Sequence, residues 1–97
     1  MGRSPRPKPR RLGEKLLAIR RALGWSQSQM WRALDLAADY TAVAQYELGT
    51  REPPLPVLLK YAQIAGITTD LLIDDTLDLP EALPAWPTFT ERLKRMR

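Results

Sequence analysis

Apolar residues near the start of the chain recur at the spacing of one helical face. Leu12, Leu16, Ile19 and Leu23 lie three or four residues apart, so they fall on the same side of a helix. This spacing predicts a first helix from about Leu12 to Leu23. Gly24 follows directly, and glycine is the residue type that most often ends a helix.

A capping pattern predicts the start of the second helix. Ser26 is a favourable N-cap residue, and Gln29, three positions later, completes a capping box. We therefore expect a helix over residues 27–34. After a polar stretch, the apolar spacing resumes and predicts a third helix over residues 40–48, capped by Asp39.

Prolines and glycines divide the rest of the chain. The remaining predicted elements are a loop at 50–56, a fourth helix that ends at Gly66, a short fifth helix capped by Thr68 and ending at Ile73, an extended strap at 74–87, and a terminal helix at 88–96 that begins with the capping pair Thr88 and Glu91. No segment shows the alternation typical of a sheet, so the predicted class is all-α.

Composition excludes several kinds of chemistry. The chain has 97 residues, 44% of them hydrophobic, with neither cysteine nor histidine. That length suits one small domain with tails. Disulfides, thiolate or imidazole metal ligands, and catalysis by cysteine or histidine are excluded. Composition leaves open an all-carboxylate metal site or a catalytic pair of carboxylates. Because a domain this small is not expected to have a pocket and no partner acid is identifiable, we expect no enzyme, metal or cofactor. No apolar run reaches the ~20 residues of a membrane span, and no signal peptide follows the basic start, which favours a cytoplasmic protein.

Charge is distributed unevenly along the chain. Residues 1–21 carry eight basic side chains and one acid, whereas residues 61–90 carry five acids and no base. With its three prolines, segment 1–11 is interpreted as a disordered basic arm that contacts a polyanion. An ordinary solvated tail is the alternative. The basic residues of this arm are Arg3, Arg6, Lys8, Arg10 and Arg11.

Three short motifs then occur in order. They are GWSQ at residues 24–27, YELGTREP at 46–53 and LLKYAQIAGI at 58–67. Together they resemble the Cro and phage-repressor type of helix-turn-helix domain, found in XRE-like transcriptional regulators. The resemblance covers residues 12–73 and implies a five-helix repressor-like fold, flanked by the arm and by a proline-rich C-terminal extension, 74–97.

The resemblance also implies a set of DNA-contacting residues, with the third helix in the major groove. The base-reading residues would be Tyr40, Thr41, Ala42 and Gln45. The phosphate-binding residues would be Ser26, Gln27, Thr50 and Arg51. Physical chemistry is compatible with these roles. A glutamine amide pairs bidentately with adenine, an alanine methyl packs on thymine, and a helix N-terminus binds phosphate. Arg20 and Glu47 match a structural ion pair of the family.

The sequence also departs from the family pattern. The stretch between the second and third helices is about two residues longer than usual and lacks the turn glycine. Trp31 stands where a small residue is preferred, either as a core side chain or as an exposed contact. Trp25 and Tyr46 occupy apolar core positions of the family.

The strap raises two further questions. The acidic run Asp74, Asp75 and Asp78 lacks the spacing and the glycine of a calcium loop, so we interpret it as solvated or self-capping. The apolar residues beyond it, Leu79, Leu83, Trp86 and Phe89, must pack back on the domain or meet another chain. We hypothesise that residues 79–96 extend a homodimer surface.

The resemblance implies a bacterial or phage-encoded regulator that binds double-stranded DNA sequence-specifically as a homodimer, and represses transcription. An alternative is a protein-interaction module, such as an antitoxin-like or accessory subunit. It would use the acidic segment 74–81 and the apolar tail to bind a protein partner. The absence of lysine and arginine between Asp35 and Leu48 keeps this alternative open.

Overall fold

The computed structural model describes residues 8–36, 39–81 and 83. Within these ranges the chain forms helices and no strand, which confirms the all-α prediction. The helices are α1 (Leu12–Leu23), α2 (Gln27–Leu34), α3 (Ala42–Leu48), α4 (Leu55–Ala65) and α5 (Asp70–Ile73). None of the described helices is long and apolar enough to cross a membrane.

The apolar faces of the five helices meet in one core. Helix α1 contacts α3 and α5, while α2 contacts α3 and α4. The largest side chains that are fully buried there are Tyr61, Leu16, Ile19, Met30, Leu34, Leu72 and Val43. Tyr46 is also buried, whereas Trp25 and Trp31 are half-buried and pack against the edge of the core. Trp31 therefore contributes to the core.

Three helices begin at positions other than those predicted. Helix α3 begins at Ala42, two residues late, because Tyr40 and Thr41 form a turn after Asp39. Helix α4 begins at Leu55, inside the predicted loop, since proline is tolerated in a first helical turn. In α5 the N-cap residue is Thr69 rather than Thr68, whose hydroxyl instead bonds the side chain of Asp70.

The turn after α2 does without glycine. Asp35 adopts a left-handed conformation with φ +52° at the C-terminus of that helix. Aspartate is one of the few other residues that enter this region at low cost. From α4, Lys60 Nζ donates a hydrogen bond to the carbonyl oxygen of Leu34 at 2.8 Å. The C-terminal end of α2 is therefore capped from another helix.

Beyond α5, residues 74–81 contain no regular secondary structure. Leu79 and Leu83 are half-buried and pack back against the core. These two leucines therefore pack back on their own domain, which was one of the two possibilities that the sequence left open. Trp86, Phe89 and the predicted helix at 88–96 lie outside the described residues.

Candidate nucleic-acid interface

The N-terminus of α2 is built by the predicted capping box. The amide of Ser26 donates to Gln29 Oε1 at 2.7 Å, and the amide of Gln29 donates to Ser26 Oγ at 3.1 Å. The side chains of Gln27 and Ser28 are exposed in the same turn. An exposed helix N-terminus combines amide donors with the positive end of the helix dipole, which is suited to a phosphate.

A charged network joins this end of α2 to two other helices. Arg20 on α1 donates from Nε to Glu47 Oε2 at 2.7 Å and from Nη2 to Glu47 Oε1 at 3.1 Å. The two side chains are only 16% and 5% exposed. The hydrogen bond to Glu47 raises the pKa of Arg20. This is the ion pair that the family resemblance implies, in a bidentate geometry.

Gln27 is also part of this network, a role the sequence analysis missed. Its Nε2 donates to Glu47 Oε1 at 3.1 Å. On the other side, Arg20 Nη1 donates to the carbonyl oxygen of Trp25 at 2.9 Å. Glu47 therefore connects the first three helices, and it fixes the start of α2 relative to α3.

The outward face of α3 differs from the predicted one. Tyr40 is 67% exposed, Thr41 is exposed and Gln45 is half-buried, so these three can contact a ligand. Ala42 is 0% exposed, and its prediction as a base-reading residue is wrong. Ala42 lies one helical turn before Tyr46, so it shares the buried face of α3 with Tyr46. The outward positions that the sequence analysis missed are Ala44, half-buried, and Leu48, 77% exposed.

The turn before α3 holds Thr41 in place. Asp39 Oδ1 accepts a hydrogen bond from the amide of Thr41 at 3.0 Å and a second one from its hydroxyl. The hydroxyl bond contributes most to lowering the pKa of Asp39. Asp39 thus caps the turn that leads into α3, and its neighbour Tyr40 projects into solvent.

The loop after α3 folds back onto the helix. The amides of Thr50 and Arg51 both donate to the carbonyl oxygen of Gln45, at 3.1 and 3.3 Å. Arg51 Nη1 also donates to Gln45 Oε1 at 3.2 Å, and its guanidinium carbon lies 5.8 Å from the centre of the Tyr46 ring. The exposed end of α3 therefore carries a positive charge beside Gln45.

Residues 16–72 match the Helix-turn-helix family, and the described part of that range contains both α2 and α3. The chain belongs to the helix-turn-helix family. Across 74 residues it is 36% identical to YonR of Bacillus subtilis (strain 168), an SPbeta prophage-derived uncharacterized HTH-type transcriptional regulator. That similarity spans 73% of this chain and 67% of YonR.

Two solved structures share the fold of this helix-turn-helix protein. One is the P22 c2 repressor bound to the synthetic operator 9T in the presence of Tl+, with a TM-score of 0.60 and 23% identity. It covers 66% of this chain and 94% of its own. The other is the hypothetical transcription factor NHTF from Neisseria, with a TM-score of 0.58 and 26% identity over 97% of this chain and 98% of its own.

The predicted basic arm is partly attached to the helix-turn-helix domain. Lys8 and Arg10 are exposed, while Arg3 and Arg6 lie outside the described residues. Arg11 is not a free arm residue, contrary to the prediction. Its Nη2 lies 2.7 Å from Asp78 Oδ1, and its Nε donates to Glu14 Oε1 at 2.9 Å.

The acidic residues after α5 hold the start of α1. Asp75 accepts hydrogen bonds from the amides of Arg10 and Arg11, at 2.9 and 3.0 Å. These bonds lower the pKa of Asp75. Asp74 accepts from the amide and hydroxyl of Thr76, as expected for a self-capping acidic strap. The sequence analysis did not foresee the attachment to α1.

Lys15 is a structural residue that the sequence analysis also missed. It is 2% exposed, and its Nζ donates to the carbonyl oxygens of Leu71 and Asp74 at 2.8 and 2.9 Å. A signal was present in the sequence, because Lys15 lies three residues after Leu12 on the apolar face of α1. A lysine at such a position buries its aliphatic stem, and here its ammonium group also caps carbonyl groups at the end of α5.

Proposed function

We propose that this chain, a DNA-binding transcriptional regulator of the helix-turn-helix family, represses transcription by occupying an operator with α3 in the major groove. One observation carries the proposal: the start of α2, the outer face of α3 and the loop at 50–51 are hydrogen-bonded together. Gln27 bonds to Glu47 on α3, and Arg51 bonds to Gln45 on the same helix. A phosphate-binding helix end therefore lies next to exposed side chains that can reach base edges.

The exposure of the side chains suggests which of them contact bases and which contact phosphates. Tyr40, Thr41 and Gln45 lie on the outward face and serve base reading. Ala44 and Leu48 offer the apolar surface for a thymine methyl that buried Ala42 does not. The phosphate-contacting groups would be Ser26, Gln27, Thr50, Arg51 and the arm residues Arg3, Arg6, Lys8 and Arg10.

The proposed form on DNA is a homodimer on two half-sites, whose centres would lie one helical turn apart. Exposed apolar side chains on the α4 and α5 side support contact with a second copy. Leu55 is 79%, Leu59 50% and Ile73 45% exposed. Covering such a patch removes apolar surface from water. The proposed site of action is the bacterial cytoplasm.

The alternative protein-interaction module receives less support. It relies on the acidic segment 74–81 as a binding surface for a protein partner. Three of its carboxylates already have intramolecular partners: Asp74 bonds Thr76, Asp75 bonds the start of α1, and Asp78 pairs with Arg11. This segment serves the fold of its own domain, so DNA binding remains the leading function.

Selection from a randomised duplex pool tests this function. Protein-bound DNA would be retained at low and at near-physiological salt, sequenced, and its affinity measured by fluorescence anisotropy. We expect enrichment of a pseudo-palindromic sequence, and this enrichment should persist at higher salt. Salt weakens the contacts with phosphates, whereas hydrogen bonds to the bases add affinity for particular sequences. Binding that disappears with salt and enriches no sequence would contradict the proposal.

A further inference from the structure

Gln45 and Arg51 form one hydrogen-bonded unit at the exposed end of α3. Arg51 Nη1 donates to Gln45 Oε1 at 3.2 Å, so the carboxamide oxygen already accepts a hydrogen bond from a cation. The contact is not made by two freely moving side chains. Two backbone amides of the loop bind the Gln45 carbonyl oxygen, and the guanidinium lies over the Tyr46 ring.

This contact changes what Gln45 can offer to DNA. A glutamine carboxamide has one oxygen, which accepts through two lone pairs, and an NH₂ group that donates twice. The bond from Arg51 takes one of these lone pairs and places a positive charge beside the other. With its oxygen turned to Arg51, Gln45 presents the NH₂ group, and the guanidinium adds only donors. The two side chains together therefore present hydrogen-bond donors and a positive charge.

The major-groove edges of guanine and adenine differ in how well they can pair with these donors. Guanine presents two acceptors, N7 and O6, whereas adenine presents one acceptor, N7, and the N6 amino donor. Bidentate pairing with adenine needs the glutamine oxygen as an acceptor for N6. In this protein a guanidinium competes for that oxygen, and its charge repels the amino group.

We propose that Arg51 orients Gln45 as a hydrogen-bond donor, so that the pair reads guanine rather than adenine in the major groove. The inference rests on the proposed function and deepens it. It replaces the expectation of adenine pairing that follows from Gln45 alone. It also makes Arg51 a positioning residue for specificity, in addition to any charge it offers to phosphate.

Base preference measured for matched variants tests the proposal. Gln45→Ala identifies the affected base pair, because the preference there is lost. At that pair the wild-type protein should prefer guanine by about tenfold, the usual scale for a good bidentate contact. Arg51→Met should abolish this preference or shift it to adenine. Arg21→Met removes one charge from an exposed position on α1 and should keep the guanine preference while weakening binding to all sequences alike.

A wild-type preference for adenine at that pair, or a guanine preference that survives Arg51→Met, would overturn the inference. Specific binding by the wild-type protein would still support the proposed function in either case. A second readout needs no DNA: in the free protein, the NMR signals of the Gln45 side-chain NH₂ should shift in Arg51→Met and not in Arg21→Met. Unchanged signals in Arg51→Met would show that the contact does not form in solution, and would also overturn the inference.

Discussion

Tyr61 on α4 is the largest fully buried side chain of the described core. Its hydroxyl is buried and makes no hydrogen bond within the described residues. Burial raises the pKa of this phenol, so the group stays protonated at all ordinary pH values. A buried donor without a partner loses its hydration without compensation. The hydroxyl of Tyr61 therefore opposes folding, while its ring supports it.

Replacing Tyr61 by phenylalanine should stabilise the domain. Tyr61→Phe removes the buried hydroxyl and keeps the ring, which should raise the free energy of unfolding by ~1 kcal/mol. Urea denaturation measures this change, and Tyr40→Phe is the control, because Tyr40 is 67% exposed. Destabilisation by Tyr61→Phe, with Tyr40→Phe neutral, would show that the hydroxyl has a partner in solution.

Among the helices, α1 and α3 approach each other closely at Gly13. A Cβ atom on Gly13 would lie 2.6 Å from the carbonyl oxygen of Glu47 and 3.1 Å from that of Tyr46. Both obstacles are backbone atoms, which cannot turn away as a side chain can. The absence of a side chain at this position thus sets the distance between the two helices.

Gly13→Ala should therefore destabilise the protein. In an exposed helix interior, replacing glycine by alanine stabilises the helix by ~1 kcal/mol. A decrease in the free energy of unfolding would therefore come from the steric clash with α3, whereas an increase would come from helix propensity. We expect a loss of ~2 kcal/mol in the free energy of unfolding, typical of overpacking. Ala22→Gly at an exposed position of α1 measures the effect of helix propensity alone. A more stable Gly13→Ala protein would contradict the close approach of α1 and α3.

The Arg20–Glu47 ion pair should contribute more to the free energy of unfolding than an exposed charge on α1 does. Arg20→Met leaves Glu47, 5% exposed, without its cation, and should lower the free energy of unfolding by ~3 kcal/mol. Arg21→Met, at an exposed position of the same helix, should change it by less than ~0.5 kcal/mol.

The double variant Arg20→Met with Glu47→Met completes the cycle. It should be more stable than the sum of the two single changes implies, because neither charge is then left buried alone. Thermal or urea unfolding of the four proteins measures the coupling energy. Additive effects of the two substitutions would contradict a coupled ion pair.

The sequence predicts helices well where short-range signals define their ends. Leu12–Leu23 and Gln27–Leu34 agree with the observed bounds, because apolar spacing, a capping box and glycine act within a few residues. The start of α3 was predicted two residues early, since the turn of Tyr40 and Thr41 depends on hydrogen bonds that the Asp39 carboxylate accepts from Thr41. No spacing rule contains that information.

The candidate site was predicted less well than the fold. Ala42 lies one helical turn before buried Tyr46, so helical spacing alone places it on the buried face of α3, and its prediction as a base-reading residue neglected that spacing. Arg11 was assigned to the arm by its charge, yet it bonds to residues more than sixty positions away along the chain. Such long-range partners follow from the packing of α1 beside α5, which the sequence pattern alone does not give.

At the scale of the whole molecule, the segment after α5 holds the beginning of the domain. Asp75 accepts from the amides of Arg10 and Arg11, and Arg11 donates from Nη1 to the carbonyl oxygens of Asp75 and Leu77. Lys15 adds two bonds to carbonyl oxygens at the end of α5. The segment at 74–78 therefore sets where the basic arm leaves the domain.

This attachment should weaken in acid. The pKa of Asp75 in the folded protein is lowered from its ordinary value of 3.8, chiefly by the amide of Arg10. A lowered carboxyl pKa contributes stability above the ordinary value, and that contribution is lost as the pH falls through the folded pKa. The wild-type free energy of unfolding should thus decrease between about pH 5 and pH 2.

Asp75→Asn should remove part of that pH dependence. Urea unfolding at several pH values measures it, and Glu81→Gln, at an exposed acid three residues beyond the segment at 74–78, is the control. The Asn variant should be less stable than the wild type near pH 6 and should approach it in acid. Parallel curves for the two proteins across this range would contradict a charged cap at the start of α1.

The surface to which DNA binds is the decisive test of the proposed role of α2 and α3. Amide NMR spectra of the full chain would be recorded during titration with the enriched duplex, and the shifted signals mapped onto the structure. The largest shifts should occur at residues 26–29 and 40–51, with smaller ones at residues 8–10. Shifts concentrated on α4 and α5 around Leu55, Leu59 and Ile73, with α2 and α3 unaffected, would contradict DNA binding through α3.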